Sequence, residues 1–292
     1  MQIGASFPTT EIGNDASVIR DFAQGVEEVG YHYITCIDHV IQGEKPVAND
    51  WRANYTLDYP FHEVMVLLGF LAGATKSIGF TSAILILPQR PTVLVAKQFA
   101  ELDVLTGGRL RAGVGIGWNK LEFDALNETF EGRAERMEEQ IEVMRGLWSK
   151  RTVTFEGKWH EIVDAGINPM PVQQPIPVWV GAFVPVAIRR AGRIADGWFL
   201  NPRDNPQEAK PLIECFHQAA AEAGRDPASL GMDATLLVGG KTDDQMRAEA
   251  QSWQELGATH LTVRTMNANF DSPSAHLDAL VRAMELLSDL NE

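Results

Sequence analysis

Residues 100–118 read AELDVLTGGRLRAGVGIGW: a helix end, a glycine pair, and then a strand that finishes in glycines. The pair at 107–108 can adopt the left-handed backbone that ends a helix. Beyond it Gly113, Gly115 and Gly117 alternate, so one face of the predicted strand carries no side chain. A strand face is kept bare where a flat ligand or another backbone lies close to it. We therefore interpret this strand as a candidate cofactor platform.

On both sides of this strand, apolar strand-like runs alternate with segments of helical periodicity. Eight strands that are each followed by a helix are typical of the α/β class and of the (β/α)8 TIM barrel. The 292 residues suit one barrel, and no linker or repeat marks a boundary, so we expect a single domain over 1–292. The predicted strands are 2–7, 33–37, 78–87, 110–116, 177–181, 197–200, 231–238 and 260–263; the helices are 16–29, 61–74, 92–105, 134–148, 185–193, 207–223, 243–256 and 275–290.

Three insertions interrupt the alternation. They cover 40–59, which contains Trp51, then 151–163, which reads as a hairpin turning at Glu156-Gly157, and 201–206. Insertions that follow strands lie at the C-terminal face of a barrel, where barrel enzymes place their active sites. Long structured loops at that face often act as lids.

Composition excludes several classes of function. The net charge of −14 argues against nucleic acid as a partner, because phosphate binding needs clustered Lys and Arg. Apolar runs such as 64–74 are too short to span a membrane, and residues 1–7 lack the features of a signal peptide. Cys36 and Cys215 are far apart and form no metal or redox motif. We expect a cytoplasmic protein without a metal, since the predicted strand ends lack converging carboxylates and histidines.

Asp38-His39 is the leading candidate for catalysis. The pair directly follows the second predicted strand, YITCI, and so is expected at the barrel mouth. Histidine is the side chain best suited to move a proton near neutral pH. The alternative is that Asp38 caps the following loop and His39 packs at the surface.

Other candidates follow from strand ends. Ser82 and Ala83 interrupt the bulky third strand, which indicates either a bulge that supports a ligand or tight barrel packing. Gly181-Ala182 precedes a helix with Pro185 in its first turn, an arrangement that can bind an anion such as phosphate. Arg264 ends the eighth strand and would contact either an acidic group of a ligand or a surface carboxylate.

Aromatic side chains near strand ends can form the wall of a flat cofactor or an apolar substrate, although each alone is more often packing. The candidates are Phe7, Trp51, Trp118 and Trp198. The run at 113–117 is superficially similar to a dinucleotide-binding glycine motif, but it lies mid-chain, has no third glycine at the required spacing and belongs to a barrel pattern.

Together these segments resemble the bacterial luciferase-like flavin and deazaflavin oxidoreductases over nearly the whole chain. Asp38-His39 and the run Gly-Trp-x-x-x-Glu-Phe at 117–123 look most like the branch that uses coenzyme F420, an 8-hydroxy-5-deazaflavin. The other markers are SAILILPQRP at 82–91, AKQ at 96–98, LDVLTGGR at 102–109, PVWVG at 177–181 and RIADGW at 193–198.

The resemblance implies a site. His39 would face the reactive ring edge as proton donor or acceptor, oriented by Asp38. A non-proline cis peptide at Ser82-Ala83 would support the ring, and the strand tip from Gly117 to Glu122 would border it. The turn at Gly181-Ala182, where many relatives have two glycines, would bind the cofactor phosphate. Trp118 and Trp198 would bound the pocket.

The implied activity is hydride transfer between coenzyme F420 and a small organic substrate that the sequence does not identify. One alternative on the same scaffold is an FMN-dependent monooxygenase that works with a flavin reductase. A second is a flavin-binding barrel that has lost activity, against which the intact Asp38-His39 argues. The resemblance and general base rates also predict a homodimer.

Overall fold

A computed structural model describes residues 1–45, 55–200 and 205–291. Within these ranges, eight parallel strands close into a barrel in the order β3-β2-β1-β11-β10-β9-β8-β5, and pairing of β3 with β5 completes the ring. The barrel strands are β1 (Gln2–Ser6), β2 (Tyr33–Cys36), β3 (Gly79–Ser82), β5 (Leu110–Gly115), β8 (Val178–Gly181), β9 (Gly197–Phe199), β10 (Gly231–Leu237) and β11 (His260–Arg264). The predicted TIM barrel is confirmed.

Helices follow the strands and cover the outside of the barrel. They are α1 (Ala16–Val29), α2 (Val64–Ala74), α3 (Thr92–Thr106), α4 (Lys120–Ala125), α5 (Arg133–Ser149), α6 (Pro185–Ile194), α7 (Pro206–Glu222), α8 (Asp243–Glu255) and α9 (Pro273–Leu286). Capping residues define the helix ends. The Asp15 carboxylate accepts a hydrogen bond from Ser17 N at 2.8 Å at the start of α1, and Gly107, with φ of +67°, ends α3. None of the helices described in the structure is long and apolar enough to cross a bilayer.

Two elements differ from the sequence prediction. The third strand, predicted as continuous over 78–87, is broken: β3 ends at Ser82 and a short β4 (Leu85–Ile86) follows. The short helix α4 was expected only as a strand tip; it starts where Asn119 Oδ1 accepts from Leu121 N at 3.2 Å. The predicted hairpin is present as β6 (Val153–Glu156) and β7 (Glu161–Ala165). Trp51 lies outside the described residues, as does most of the insertion after β9.

Side chains fill the lower, N-terminal half of the barrel. The Arg111 guanidinium lies over the rings of Tyr33 and Trp179, at 4.2 and 4.4 Å from their centroids, and Arg111 Nη2 is 3.5 Å from Asp233 Oδ2. Thr262 Oγ1 donates to Asp233 Oδ1 at 2.8 Å. Among the described residues, this packed layer fills the N-terminal half of the barrel interior.

The bare face of β5 looks into the barrel, where another part of the chain occupies the space. A Cβ added at Gly113 would lie 1.7 Å from the Ser82 carbonyl oxygen, and one at Gly115 would lie 2.6 Å from Ile84 Cδ1. The glycines therefore admit the irregular end of β3. Of the two explanations for a bare strand face, close approach of another backbone is the one that the structure shows at Gly113.

This contact gives a test of the fold. Because the Ser82 carbonyl is backbone and cannot rotate away, Gly113→Ala should lower the free energy of unfolding by about 3 kcal/mol or more. The measurement is reversible urea unfolding followed by tryptophan fluorescence. Gly146→Ala in α5 is the matched control, because its Cβ would meet Val153 at an ordinary 3.5 Å, and it should change stability by about 1 kcal/mol or less. A loss below about 1 kcal/mol for Gly113→Ala would contradict this packing.

Candidate functional site

The C-terminal ends of the barrel strands gather the candidate residues at one mouth. His39, three residues beyond β2, lies among the aromatic rings of Tyr55, Phe61 and Trp118, with centroid distances of 5.5, 4.9 and 5.9 Å. Its side chain is only 9% exposed. The mouth therefore presents an imidazole inside an aromatic wall.

Glu122 fixes the orientation of this imidazole. His39 Nδ1 lies 3.2 Å from both carboxylate oxygens of Glu122. Because carboxylate oxygens accept hydrogen bonds, we assign the tautomer with the proton on Nδ1, which then donates to Glu122. Nε2 remains as the nitrogen that can exchange a proton with a ligand.

Neighbouring polar groups hold the Glu122 carboxylate in place. It is fully buried, accepts from Val40 N at 2.8 Å, and lies 3.5 Å from Gln89 Nε2. The helical turn of α4 places Glu122 here, and the sequence prediction did not contain that helix. The Glu122 side chain has no exposed surface and contacts His39, Val40 and Gln89. That it borders the cofactor stays a prediction.

Asp38 does not orient His39, contrary to the expectation. Its Oδ1 accepts from Arg90 Nη2 at 2.8 Å and its Oδ2 accepts from Ile86 N at 2.9 Å. Burial raises the pKa of Asp38, and Arg90 with the Ile86 N–H opposes that rise. Arg90 also donates to Glu63, the N-cap of α2, at 2.9 Å. The two neighbouring side chains therefore have different partners, and it is His39 that contacts the aromatic wall.

The non-proline cis peptide lies at Ala83-Ile84, one step beyond the expected Ser82-Ala83. Ser82 is still part of the regular sheet, because it pairs with Cys36 and its Oγ donates to Gly113 O at 2.6 Å. Ala83 N also donates to Cys36 O, at 2.7 Å. Regular pairing therefore continues through the Ala83 amide, and the break follows it.

The remaining candidates divide by exposure. Ala83, Gly117, Trp118 and Gly181 are half-buried at the mouth, whereas Ser82, Ala182 and Trp198 are buried. Trp198 packs on Phe216 of α7, and its Nε1 donates to Ala182 O at 2.8 Å. The structure therefore places Trp198 between β9 and α7, and its role at the pocket stays a prediction.

Strand parity explains where the aromatic residues point. Phe199, the neighbour of Trp198 on β9, faces the barrel interior, because a Cβ at Gly113 would lie 2.9 Å from its ring. Phe7 is fully buried and packs edge-on against Phe22 of α1, so it too belongs to the helix layer.

The turn after β8 has the features of an anion site. Helix α6 starts at Pro185, its N-cap Val184 makes no side-chain cap, and its first turn holds no acidic residue. The N–H groups at this helix start and the positive end of the helix dipole favour a negative group. Gly181 leaves room at the turn for Ile84, because a Cβ there would lie 2.9 Å from the Ile84 side chain.

Across the parts of the chain that the structure describes, no group of three or more His, Cys, Asp or Glu side chains could hold a metal ion. The features at the mouth are an imidazole on a carboxylate, an aromatic wall and an uncapped helix start. This combination suits proton transfer beside a flat, anionic organic cofactor.

Comparison with known proteins decides the family. Residues 1–286 match the family model described as luciferase-like monooxygenase. The chain belongs to this family. Among luciferase-like relatives, an F420-dependent hydroxymycolic acid dehydrogenase of Mycobacterium tuberculosis is 31% identical over 80% of this chain and 61% of its own length.

Two further similarities extend the comparison. The FMNH(2)-dependent dimethylsulfone monooxygenase of Pseudomonas putida is 30% identical over 64% of this chain and 52% of its own length. A solved structure of an F420-dependent secondary alcohol dehydrogenase, in complex with an F420-acetone adduct, superimposes with a TM-score of 0.81 at 19% identity and covers 98% of both chains. At that identity the likeness concerns the fold alone.

Proposed function

We propose that this luciferase-like barrel is an oxidoreductase that transfers a hydride between coenzyme F420 and a small organic substrate. The observation that carries the proposal is the His39-Glu122 pair inside the aromatic wall. The similarity to an F420-dependent dehydrogenase supports the choice of cofactor. The match over 1–286 supports a single domain through 1–292. The two free cysteines are compatible with a cytoplasmic location.

The residues present fit a deazaflavin. Trp118 supplies a flat apolar surface beside His39. Ala83, Ile84 and Gly117 are half-buried at the mouth, where a flat ring could lie against them. The Gly181-Ala182 turn and the uncapped start of α6 suit the cofactor's phosphate. When bound, a deazaflavin supplies a carbon centre that gives or accepts a hydride.

The protein's own part is to position groups and to move one proton. We infer that His39 Nε2 donates a proton to, or accepts one from, the substrate atom whose charge changes during hydride transfer. Glu122 is a positioning residue, because it holds the imidazole through Nδ1 and stabilises the protonated ring. Tyr55, Phe61 and Trp118 exclude water from this nitrogen.

The second candidate is an FMN-dependent monooxygenase that receives reduced flavin from a reductase, and the similarity to the dimethylsulfone monooxygenase favours it. A paired titration separates the two. The purified chain should bind F420 at micromolar or lower concentration and FMN at least ~10-fold more weakly, as measured by cofactor fluorescence. Preference for FMN would support the monooxygenase, and binding of neither would refute the proposal.

Turnover tests the assigned roles. With a substrate found by a hydride-acceptor screen, His39→Ala should lower kcat by about 10²-fold and leave F420 affinity within a few-fold. Glu122→Gln should lower kcat by roughly 10-fold at unchanged F420 affinity, and ¹⁵N NMR should show that His39 no longer holds its proton on Nδ1 alone.

His217→Ala, in α7 on the outside of the barrel, serves as the control and should retain full turnover. Turnover of His39→Ala within a few-fold of the parent would remove the proton-transfer role. An unchanged Nδ1 tautomer in Glu122→Gln would remove the positioning role.

We further propose that the protein is a homodimer that associates through α2 and α3. These neighbouring helices expose large apolar side chains: Val66 is 72% exposed, Leu94 54% and Leu105 61%. Helix α2 is apolar on all sides, which is typical of a helix that is covered on all sides. Exposed apolar patches of this kind mark interfaces between proteins.

Sedimentation velocity tests the dimer. The parent chain should sediment as a dimer at micromolar concentration, and Val66→Lys should weaken association at least ~10-fold, because it places a charge in an apolar interface. Val163→Lys on β7 is the matched control, since Val163 is also 72% exposed, and it should leave the dimer intact. A monomeric parent, or a Val66→Lys variant that associates as tightly as the parent, would contradict this interface.

A further inference from the structure

Arg264 occupies the last position of β11, on the face that looks into the barrel. Side chains alternate along this strand. The His260 ring contacts the inward-facing Trp179 ring at 4.8 Å between centroids, and Thr262 bonds Asp233. Arg264 has the same parity as His260 and Thr262. It therefore projects inward at the open, C-terminal end, directly above the packed lower layer.

This guanidinium has no acidic partner among the described residues. Its one hydrogen bond there runs from Nη2 to Tyr55 Oη at 3.5 Å, the long limit of such a contact. Two other arginines in or beside the barrel are paired with carboxylates, Arg90 with Asp38 and Arg111 with Asp233. A half-buried cation is costly unless an anion accompanies it. In a chain with a net charge of −14, a guanidinium at the mouth that has no carboxylate partner among the described residues indicates a site for an anionic ligand.

Tyr55 links this cation to the reacting end of the site. Its hydroxyl faces Arg264, and its ring lies 5.5 Å from the His39 ring. A molecule with an anionic group on Arg264 therefore has its next atoms beside the imidazole. Only the Tyr55 side chain separates Arg264 from His39. This short distance suits the two ends of a small substrate better than a remote group of a long cofactor.

We propose that Arg264 and Tyr55 form the subsite that binds a carboxylate group of the substrate, so that the substrate class is small organic acids. This inference rests on the proposed function, because it places the substrate at His39. A guanidinium matches the two coplanar oxygens of a carboxylate, and the phenol adds a third donor. A single guanidinium also matches a monoanion in charge, whereas a phosphate dianion would leave excess negative charge in an already acidic protein.

The test is a binding comparison that needs no turnover. Benzoate and propionate are titrated against benzamide and propionamide, their neutral counterparts, with the full chain in the presence and absence of F420. Binding is followed by calorimetry and by tryptophan fluorescence, since Trp118 lies beside His39. We expect the carboxylates to bind the parent at least ~10-fold more tightly than the amides.

Variants locate the effect. Arg264→Gln should abolish the preference for carboxylates and leave F420 affinity within about 2-fold, whereas Arg264→Lys should keep part of the preference. Tyr55→Phe should weaken the carboxylates by a few-fold. Arg20→Gln, on the exposed face of α1, is the control and should behave as the parent. Thermal unfolding of each variant checks that it is folded.

Three outcomes would overturn the subsite: equal binding of acids and amides by the parent, tighter binding of phenyl phosphate than of benzoate, or a loss of F420 affinity in Arg264→Gln. The last would assign Arg264 to the cofactor. A different result would refute the proposed function: the chain would bind carboxylates through Arg264 but would not bind F420.

Discussion

The close approach of the Ser82 carbonyl to the bare face of β5 is the contact on which the mouth of the barrel depends. Only glycine at 113 admits this oxygen. Because β3 can end there, Ile84 turns into the space beside Gly115 and Gly181, and the chain resumes as β4. The Ile86 amide of β4 then bonds Asp38 and ties this irregular segment to the end of β2.

The two buried carboxylates near this segment, Asp38 and Glu122, have different roles. Asp38 joins β4 and Arg90, and through Arg90 it reaches Glu63 at the start of α2, so its charge is neutralised by structural partners. Glu122 faces His39, whose proton it can compensate when the imidazole is charged. The acid next to His39 in sequence therefore stabilises the framework, and the acid 83 residues away holds the imidazole.

The elements of the fold could be predicted because periodicity and glycine pairs act locally: the bounds of α1 agree residue for residue, and α3 ends at Gly107 as expected. The site was harder to predict, because it depends on which face of a strand each side chain occupies and on contacts between residues that are distant in sequence. A shift of one residue separates Trp198, in the helix layer, from Phe199, in the barrel. One residue likewise separates Ser82-Ala83 from the observed cis step. The partnership of Glu122 with His39 needed α4, whose only sequence signal was the Asn119 cap.

Two arginines point into the barrel, one near each end, and they differ in whether a carboxylate of the described chain lies beside them. At the closed end Arg111 lies between two aromatic rings and beside Asp233, so its charge is compensated within the fold. At the open end Arg264 faces only a phenol among the described residues. In β/α barrels the N-terminal face serves stability and the C-terminal face serves function. A cation on the functional face that an anionic ligand can pair contributes binding energy for that ligand, and a ligand that binds the folded state stabilises it.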